Sequence, residues 1–382
     1  MHFSNFKKIL FINPSANSTS GLSRYYENFR CELKSHEVLV EIIQRNKNES
    51  ISCFKSRLEC DLDKKFTSQF DIIEIPHSYG LLNNVECSCP VHVRLHGSDS
   101  LLSELSSRRK TYYKEEKLCL SRGDFISSPS VLSLKMESIV FKQKISGYVF
   151  PNMNSESVNQ VKFKNSYNID NVAFASKVSG LKGLTFIIKI IKSCQSINFY
   201  IFNKSLVGYF LIGKFKNVVF CENMPILSNL YRGDIDCFIV PSVYESYSMI
   251  ASEALKFNKK VIVWNSCGIS EQHAENSLLK VIKAFDINNF IDAISNNKEF
   301  KRELLIPNTY KECSIAFFYS NKKDTYFETF SSDNVDKYFQ ELADIIFSKG
   351  KFFAKENFFY RLIRKINKFT KNINNWSSYG LK

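Results

Sequence analysis

Glu245 and Glu253 stand with seven residues between them just after an apolar run, Cys237 to Val240, that Pro241-Ser242 interrupts. A run of that length reads as a buried parallel strand, and the break marks its carboxyl end, where α/β sheets bind ligands. A helical pattern opens near Ser246 and runs to about Phe257, and a further strand follows at Val261 to Trp264. Eight helical steps of about 100° leave the two glutamates ~80° apart around the axis, with Glu245 ahead of the first turn. They would therefore touch different parts of one ligand. The helix start would offer the backbone N–H groups of Tyr247, Ser248 and Met249, which can hold a diphosphate without a metal. Glu253 could then accept hydrogen bonds from a ribose, while Glu245 faces whatever the diphosphate carries. Taken alone, such a pair is more often two solvated glutamates on a helix face.

Other chemistry-bearing residues also fall at predicted strand ends. Asn171 to Gly183 reads as a strand and loop carrying Ser176, Lys177 and Lys182, which in isolation would be ordinary surface charge. Lys7 to Asn13 reads as a strand ending at Pro14, with Gly21 ahead of a helix over Leu22 to Leu33. A single glycine-bearing loop is weak by itself. Val91 to Leu95 alternates as a strand and ends at His96-Gly97-Ser98-Asp99, and Tyr148 to Asn152 forms another strand pattern. Strands and helices alternate through both halves, which predicts an α/β architecture of parallel sheets covered by helices.

Together these segments resemble the retaining glycosyltransferases of family four, glycosyl transferases group 1. The resemblance rests on Pro241-Ser242, Glu245-Ser246-Tyr247, Glu253-Ala254-Leu255 and Gly268-Ile269-x-Glu271, with Lys177 and Lys182-Gly183 upstream. It implies the GT-B fold, two Rossmann-like domains whose parallel sheets face a central cleft. It also implies roles. Lys177 and Lys182 would neutralise the diphosphate as a leaving group, Glu245 and His96 would meet the donor sugar, and Gly21, Ser246, Tyr247, Ser248 and Glu253 would bind the rest of the donor. No metal and no cofactor is implied beyond a UDP- or GDP-linked sugar as substrate. Five positions depart from the family pattern, among them Ser176 and Met153, each standing where glycine is usual. Ser248 stands where glycine is usual, Ser20 replaces the first loop glycine, and Lys177 replaces an arginine, exchanging a two-pronged phosphate grip for a point charge.

At 382 residues and 44% apolar content the chain is long enough for two cores. The expected division is 1–160 for an acceptor-side domain, 161–348 for the donor domain and 349–382 for a terminal helix. That tail sets Phe359, Leu362, Ile363, Ile366 and Phe369 on one helical face and Arg361, Arg364, Lys365, Lys368 and Lys371 on the other. Such a helix suits packing back on the first domain, an anionic inner-membrane surface, or both. The net charge is +14, yet no nucleic-acid motif accompanies it, so nucleic acid is not an expected partner. The eleven cysteines form no framework and point to a reducing compartment. A zinc site from His77, Cys87, Cys89, His92 and His96 is conceivable but disfavoured, since the strand pleat already places His92 and His96 on one face. With no signal-peptide core or spanning run, the expected location is the cytoplasm, with a peripheral place on the inner face of the plasma membrane left open.

The expected function is transfer of a sugar from a nucleoside-diphosphate sugar to a bacterial surface glycan acceptor: lipopolysaccharide, O-antigen, capsule or another lipid-linked saccharide. Two alternatives stand beside it: a catalytically silent subunit that serves as a nucleotide-sugar-binding protein or as a scaffold, and a GT-B-type UDP-sugar epimerase.

Overall fold

The structure, a computed structural model, describes residues 6–16, 20–35, 37–152, 169–176, 179–202, 211–221, 234–272, 277–295 and 333–354. Within them the first sheet contains β1 (Lys8–Asn13), β2 (Leu39–Gln44), β3 (Ile72–Pro76), β4 (Val91–Arg94), β5 (Phe125–Ser128) and β6 (Tyr148–Val149). The second contains β7 (Asn171–Phe174), β8 (Asn198–Ile201), β9 (Val218–Phe220), β10 (Cys237–Val240), β11 (Lys260–Trp264) and β12 (Leu279–Ile282). Every pairing in both sheets is parallel. Continuous apolar runs such as Ile9-Leu10-Phe11-Ile12 form the strands because both faces of each sheet lie under helices.

Strand order is β2-β1-β3-β4-β5-β6 in the first sheet and β12-β11-β10-β7-β8-β9 in the second. The direction of winding therefore reverses beside β1 and β3 in one sheet and between β7 and β10 in the other. Crevices open at such points, outside the carboxyl ends of the strands. The expected α/β architecture of two parallel sheets is borne out.

The helix Gly21–Ser35 shows how local sequence builds these layers. Ser20 caps it, accepting from Ser23 N at 3.1 Å through its hydroxyl and from Arg24 N at 3.0 Å through its carbonyl. Tyr25, Tyr26, Phe29 and Leu33 then recur on one face and are buried against Phe11 and Ile72.

A late helix ties the two cores together. Val335, Phe339, Leu342 and Ile346 recur at helical spacing along Asp333–Ile345 and the π-turn Ile346–Gly350, and they enter the same core as Leu101, Leu132 and Met136. Beyond the π-turn, Phe353 reaches the second core, its ring 4.6 Å from that of Phe186. Lys351 forms an ion pair with Glu104 of the first half. Chain up to 348, which sequence pattern groups with the donor domain, thus already packs on the first sheet's helices from Val335 onward. The boundary stretch Asn154 to Asn168 and the basic helix after 354 lie outside the described residues. No described helix is long and apolar enough to cross a membrane.

Candidate functional site

The carboxyl edges of the two sheets meet. Ser130 Oγ donates to the Ser246 carbonyl at 2.8 Å, Ser246 Oγ donates to the His96 carbonyl at 3.2 Å, and Glu271 accepts from Val131 N and Leu132 N at 2.8 and 2.9 Å. Glu271 of the second half therefore supplies the acceptor for two amides at the start of the helix Val131–Phe141 of the first. Around this junction stand most of the residues singled out from sequence.

Lys182 and Glu245 are brought together. Lys182 Nζ lies 2.5 Å from Glu245 Oε1, and Ser242 Oγ donates to the same oxygen at 2.9 Å. Both charged groups keep contact with solvent, at 33% and 17% side-chain exposure, so an incoming anion can reach the ammonium. Gly183 holds Lys182 in place. Its φ is +83°, and a Cβ there would overlap the Pro241 carbonyl. Lys177 lies outside the described residues.

The helix after Glu245 starts later than its apolar spacing predicts. It spans Met249–Lys256, because Glu245 to Tyr247 run extended beside Ser266 to Ile269. Glu245 N donates to Ser266 O at 3.2 Å, Gly268 N to Glu245 O at 3.0 Å and Ile269 N to Tyr247 O at 2.9 Å. The amides without intrahelical partners accordingly belong to Met249, Ile250 and Ala251, not to Tyr247 and Ser248. The Tyr247 side chain is buried on the other face of the second sheet with Val240 and Ala254, its hydroxyl 3.1 Å from Ser252 Oγ, with its pKa pushed up to about 12 by burial.

Ser248 takes φ 87° and ψ 85° at the helix cap, left-handed backbone that costs a side chain about 1–2 kcal/mol. Ser248→Gly is therefore expected to raise stability by about 1 kcal/mol in urea unfolding. An unchanged or lowered midpoint would show that the serine backbone is relaxed.

His96 projects from the end of β4 on a loop fixed by two buried carboxylates. Glu137 accepts from Ser98 N and Ser98 Oγ, both at 2.7 Å, while Glu116 accepts from Asp99 N and Ser100 N at 2.9 and 3.0 Å. Burial, then the Arg94 guanidinium and the neighbouring His77 and His92, hold the His96 imidazole well below the usual histidine range. Its ring stands 4.6 Å from that of Tyr25, and its buried Nε2 has no hydrogen-bond partner among the described residues. A neutral imidazole with a free nitrogen is suited to a sugar hydroxyl.

The depressed pKa also sets a pH dependence. Unfolding in mild acid lets His96 take up a proton, so its contribution is complete above about pH 6.5 and lost as pH falls. Between about pH 7 and pH 5 the wild type is expected to lose more stability in urea titrations than His96→Asn. Equal losses would mean an ordinary histidine. His77, lying 3.1 Å from Glu137, is shifted the opposite way: burial lowers its pKa but Glu137 raises it further, and this contribution is common to both proteins.

The other histidine and cysteine positions do not converge on a metal. His92 pairs with Glu74 at 3.0 Å, His77 lies beside Glu137, and Cys87 and Cys89 line a separate cavity of about 140 Å³ with Cys119. Among the described residues no group of three or more such side chains is arranged to hold a cation. Asp234 and Asp236 lie at the amino end of β10, away from the cleft, and Asp236 Oδ2 accepts from Asp170 N and Asn171 N at 3.0 and 2.9 Å.

Glu253 is 3% exposed and forms an ion pair with Arg24 of the first sheet's opening helix. Its second oxygen, Oε2, is buried without a partner among the described residues. Gly21, the first residue of Arg24's helix, has open space where a side chain would project. Arg24 and Glu137 are the participants that sequence spacing misses, while Glu271, known from sequence only as a motif letter, takes its capping role here. A cation in the first helical turn was the available signal for Arg24, since the helix dipole disfavours it there.

The family described as glycosyl transferases group 1 matches residues 212–312, the segment that carries Glu245, Glu253 and Glu271. Among solved structures, sucrose-phosphate synthase from Thermosynechococcus elongatus superposes with a TM-score of 0.58 at 13% identity, over 97% of this chain and 99% of that one. The catalytic domain of starch synthase IV from Arabidopsis thaliana, bound to ADP and acarbose, gives 0.55 at 12% identity, over 94% and 99%. Anabaena HepE in complex with UDP and glucose gives 0.54 at 17% identity, over 77% and 91%. No curated protein matches the chain. The two-sheet topology and these superpositions define the class: this chain has the two-domain GT-B glycosyltransferase fold. Within that fold the segment similar to the group 1 family is the part that bears the paired glutamates.

Proposed function

We propose that the protein is a retaining, metal-independent glycosyltransferase that moves a sugar from a nucleoside-diphosphate sugar to a bacterial surface glycan. The acceptor would be lipopolysaccharide, O-antigen, capsule or another lipid-linked saccharide. One observation carries this reading. At the junction of the two carboxyl edges, two buried atoms without a partner among the described residues, His96 Nε2 and Glu253 Oε2, stand with Lys182, Glu245 and the amides opening the helix Met249–Lys256. Buried polar atoms without partners are rare, and those at a cleft call for a ligand rich in hydroxyls.

In this mechanism the diphosphate rests on the amides of Met249 to Ala251, with Lys177 and Lys182 stabilising its charge as the bond to the sugar breaks. Glu253 accepts from the ribose, and Glu245 and His96 hold the sugar. The departing phosphate takes the acceptor's proton, so no protein nucleophile is used. UDP bound to Anabaena HepE and ADP bound to starch synthase IV favour a nucleoside-diphosphate donor. A cytoplasmic place, with the basic segment after 354 on the anionic inner membrane, would bring a lipid-linked acceptor to the cleft.

The test is a thermal-shift panel of UDP-, GDP-, ADP- and CMP-sugars, with Glu253→Ala as control. A donor at a hundredfold its dissociation constant stabilises by about 2.7 kcal/mol. A shift with one nucleotide, lost in the variant, supports the reading. No shift with any of them favours the silent scaffold, for which Lys182 held by Glu245 and the strained Ser248 are the structural argument. Release of free epimerised sugar without acceptor would instead identify an epimerase.

A further inference from the structure

We propose that Arg24 is a donor-contacting residue that exchanges Glu253 for the donor's diphosphate, an inference that rests on the donor-site reading above. Arg24 stands on a helix packed on the first sheet and Glu253 on a helix packed on the second, so their ion pair spans the cleft. Glu253 is the carboxylate placed to receive ribose hydroxyls, and its Oε2 is the oxygen still free to accept. Hydroxyls arriving at Glu253 compete for the carboxylate that the guanidinium now holds.

The guanidinium has a ready alternative. It belongs to the first turn of the helix Gly21–Ser35, where open space adjoins Gly21 and the helix start attracts anions. That turn contains no acidic residue, and once ribose hydroxyls take Glu253 a cation there is unfavourable until another anion joins it. A diphosphate held between the two helix starts supplies that anion. Arg24, at 20% side-chain exposure, can turn onto it without entering a buried space. A guanidinium grips phosphate through two parallel hydrogen bonds, a geometry that the lysines at 177 and 182 cannot provide. Arg24 would thus report donor arrival from one domain to the other, releasing Glu253 and taking the diphosphate in one exchange.

Isothermal titration of the full chain with UDP, GDP and ADP, and with the matching nucleosides, tests this on wild type, Arg24→Ala and Arg24→Lys. Arg24→Ala is expected to weaken the bound nucleoside diphosphate by about 10- to 100-fold while leaving the nucleoside within about twofold. Arg24→Lys, which preserves the charge and the helix, recovers part of the loss and serves alone if the alanine variant does not fold. Unchanged or tighter diphosphate binding in both variants would overturn the proposal, because Arg24 would then only obstruct Glu253. So would equal losses for diphosphate and nucleoside, which would mean that Arg24 merely shapes the pocket. A wild type that binds none of the three diphosphates overturns the donor-site reading itself, and that result needs no variant to recognise.

Discussion

Gly183→Ala is expected to cost the protein about 2–5 kcal/mol of folding stability. Two effects add. Left-handed backbone with a Cβ costs about 1–2 kcal/mol, and Gly183 has φ +83°. Forcing a methyl group into occupied space costs about 1–3 kcal/mol more, and the occupied space here is the Pro241 carbonyl at the end of β10. That carbonyl cannot rotate away freely, since Pro241 and Ser242 lead directly into the turn that holds Glu245. Denaturant unfolding checks the figure, and a midpoint equal to wild type would refute the packing described. Donor binding should fall as well, because Lys182 precedes the displaced residue.

Lys182→Ala is expected to lower kcat by about 10²- to 10³-fold, the range seen when one preorganised group that stabilises transition-state charge is removed. The reasoning follows the charge. Negative charge on the leaving diphosphate grows as the glycosidic bond breaks, so an ammonium beside it favours the transition state over the bound donor. KM should therefore change less than kcat. The variant also leaves Glu245 without its cation, although Ser242 still donates to it at 2.9 Å. Steady-state kinetics with the donor found in the thermal-shift panel measure both constants. A drop confined to KM would move Lys182 from the reacting bond to simple anion attraction.

What could be read from the sequence follows the range of the interactions. Cys237–Val240 appears as a strand at its predicted bounds, and the motif letters Lys182 and Glu245 lie side by side. These depend on local pattern and on a motif that encodes its own geometry. The helix start moved from Ser246 to Met249 because hydrogen bonds to Ser266, Gly268 and Ile269 hold the preceding residues extended, a pairing across about twenty positions that periodicity cannot register. Arg24 escaped notice for the same reason, its partner Glu253 lying in the other half of the chain. Glu271 was seen as a motif letter, but its work as a cap for the helix Val131–Phe141 depends on how two sheets dock.

The helix Asp333–Ile345 has a consequence for how the chain is made. Val335, Phe339, Leu342 and Ile346 complete the core beneath Leu101, Leu132 and Met136, yet they leave the ribosome roughly 200 residues after the first sheet's last strand. At ~5–20 residues per second the nascent first half waits about 10–40 s with that apolar face uncovered. Its folding cannot finish vectorially, sheet by sheet, and the interval is when a chaperone would find its largest target.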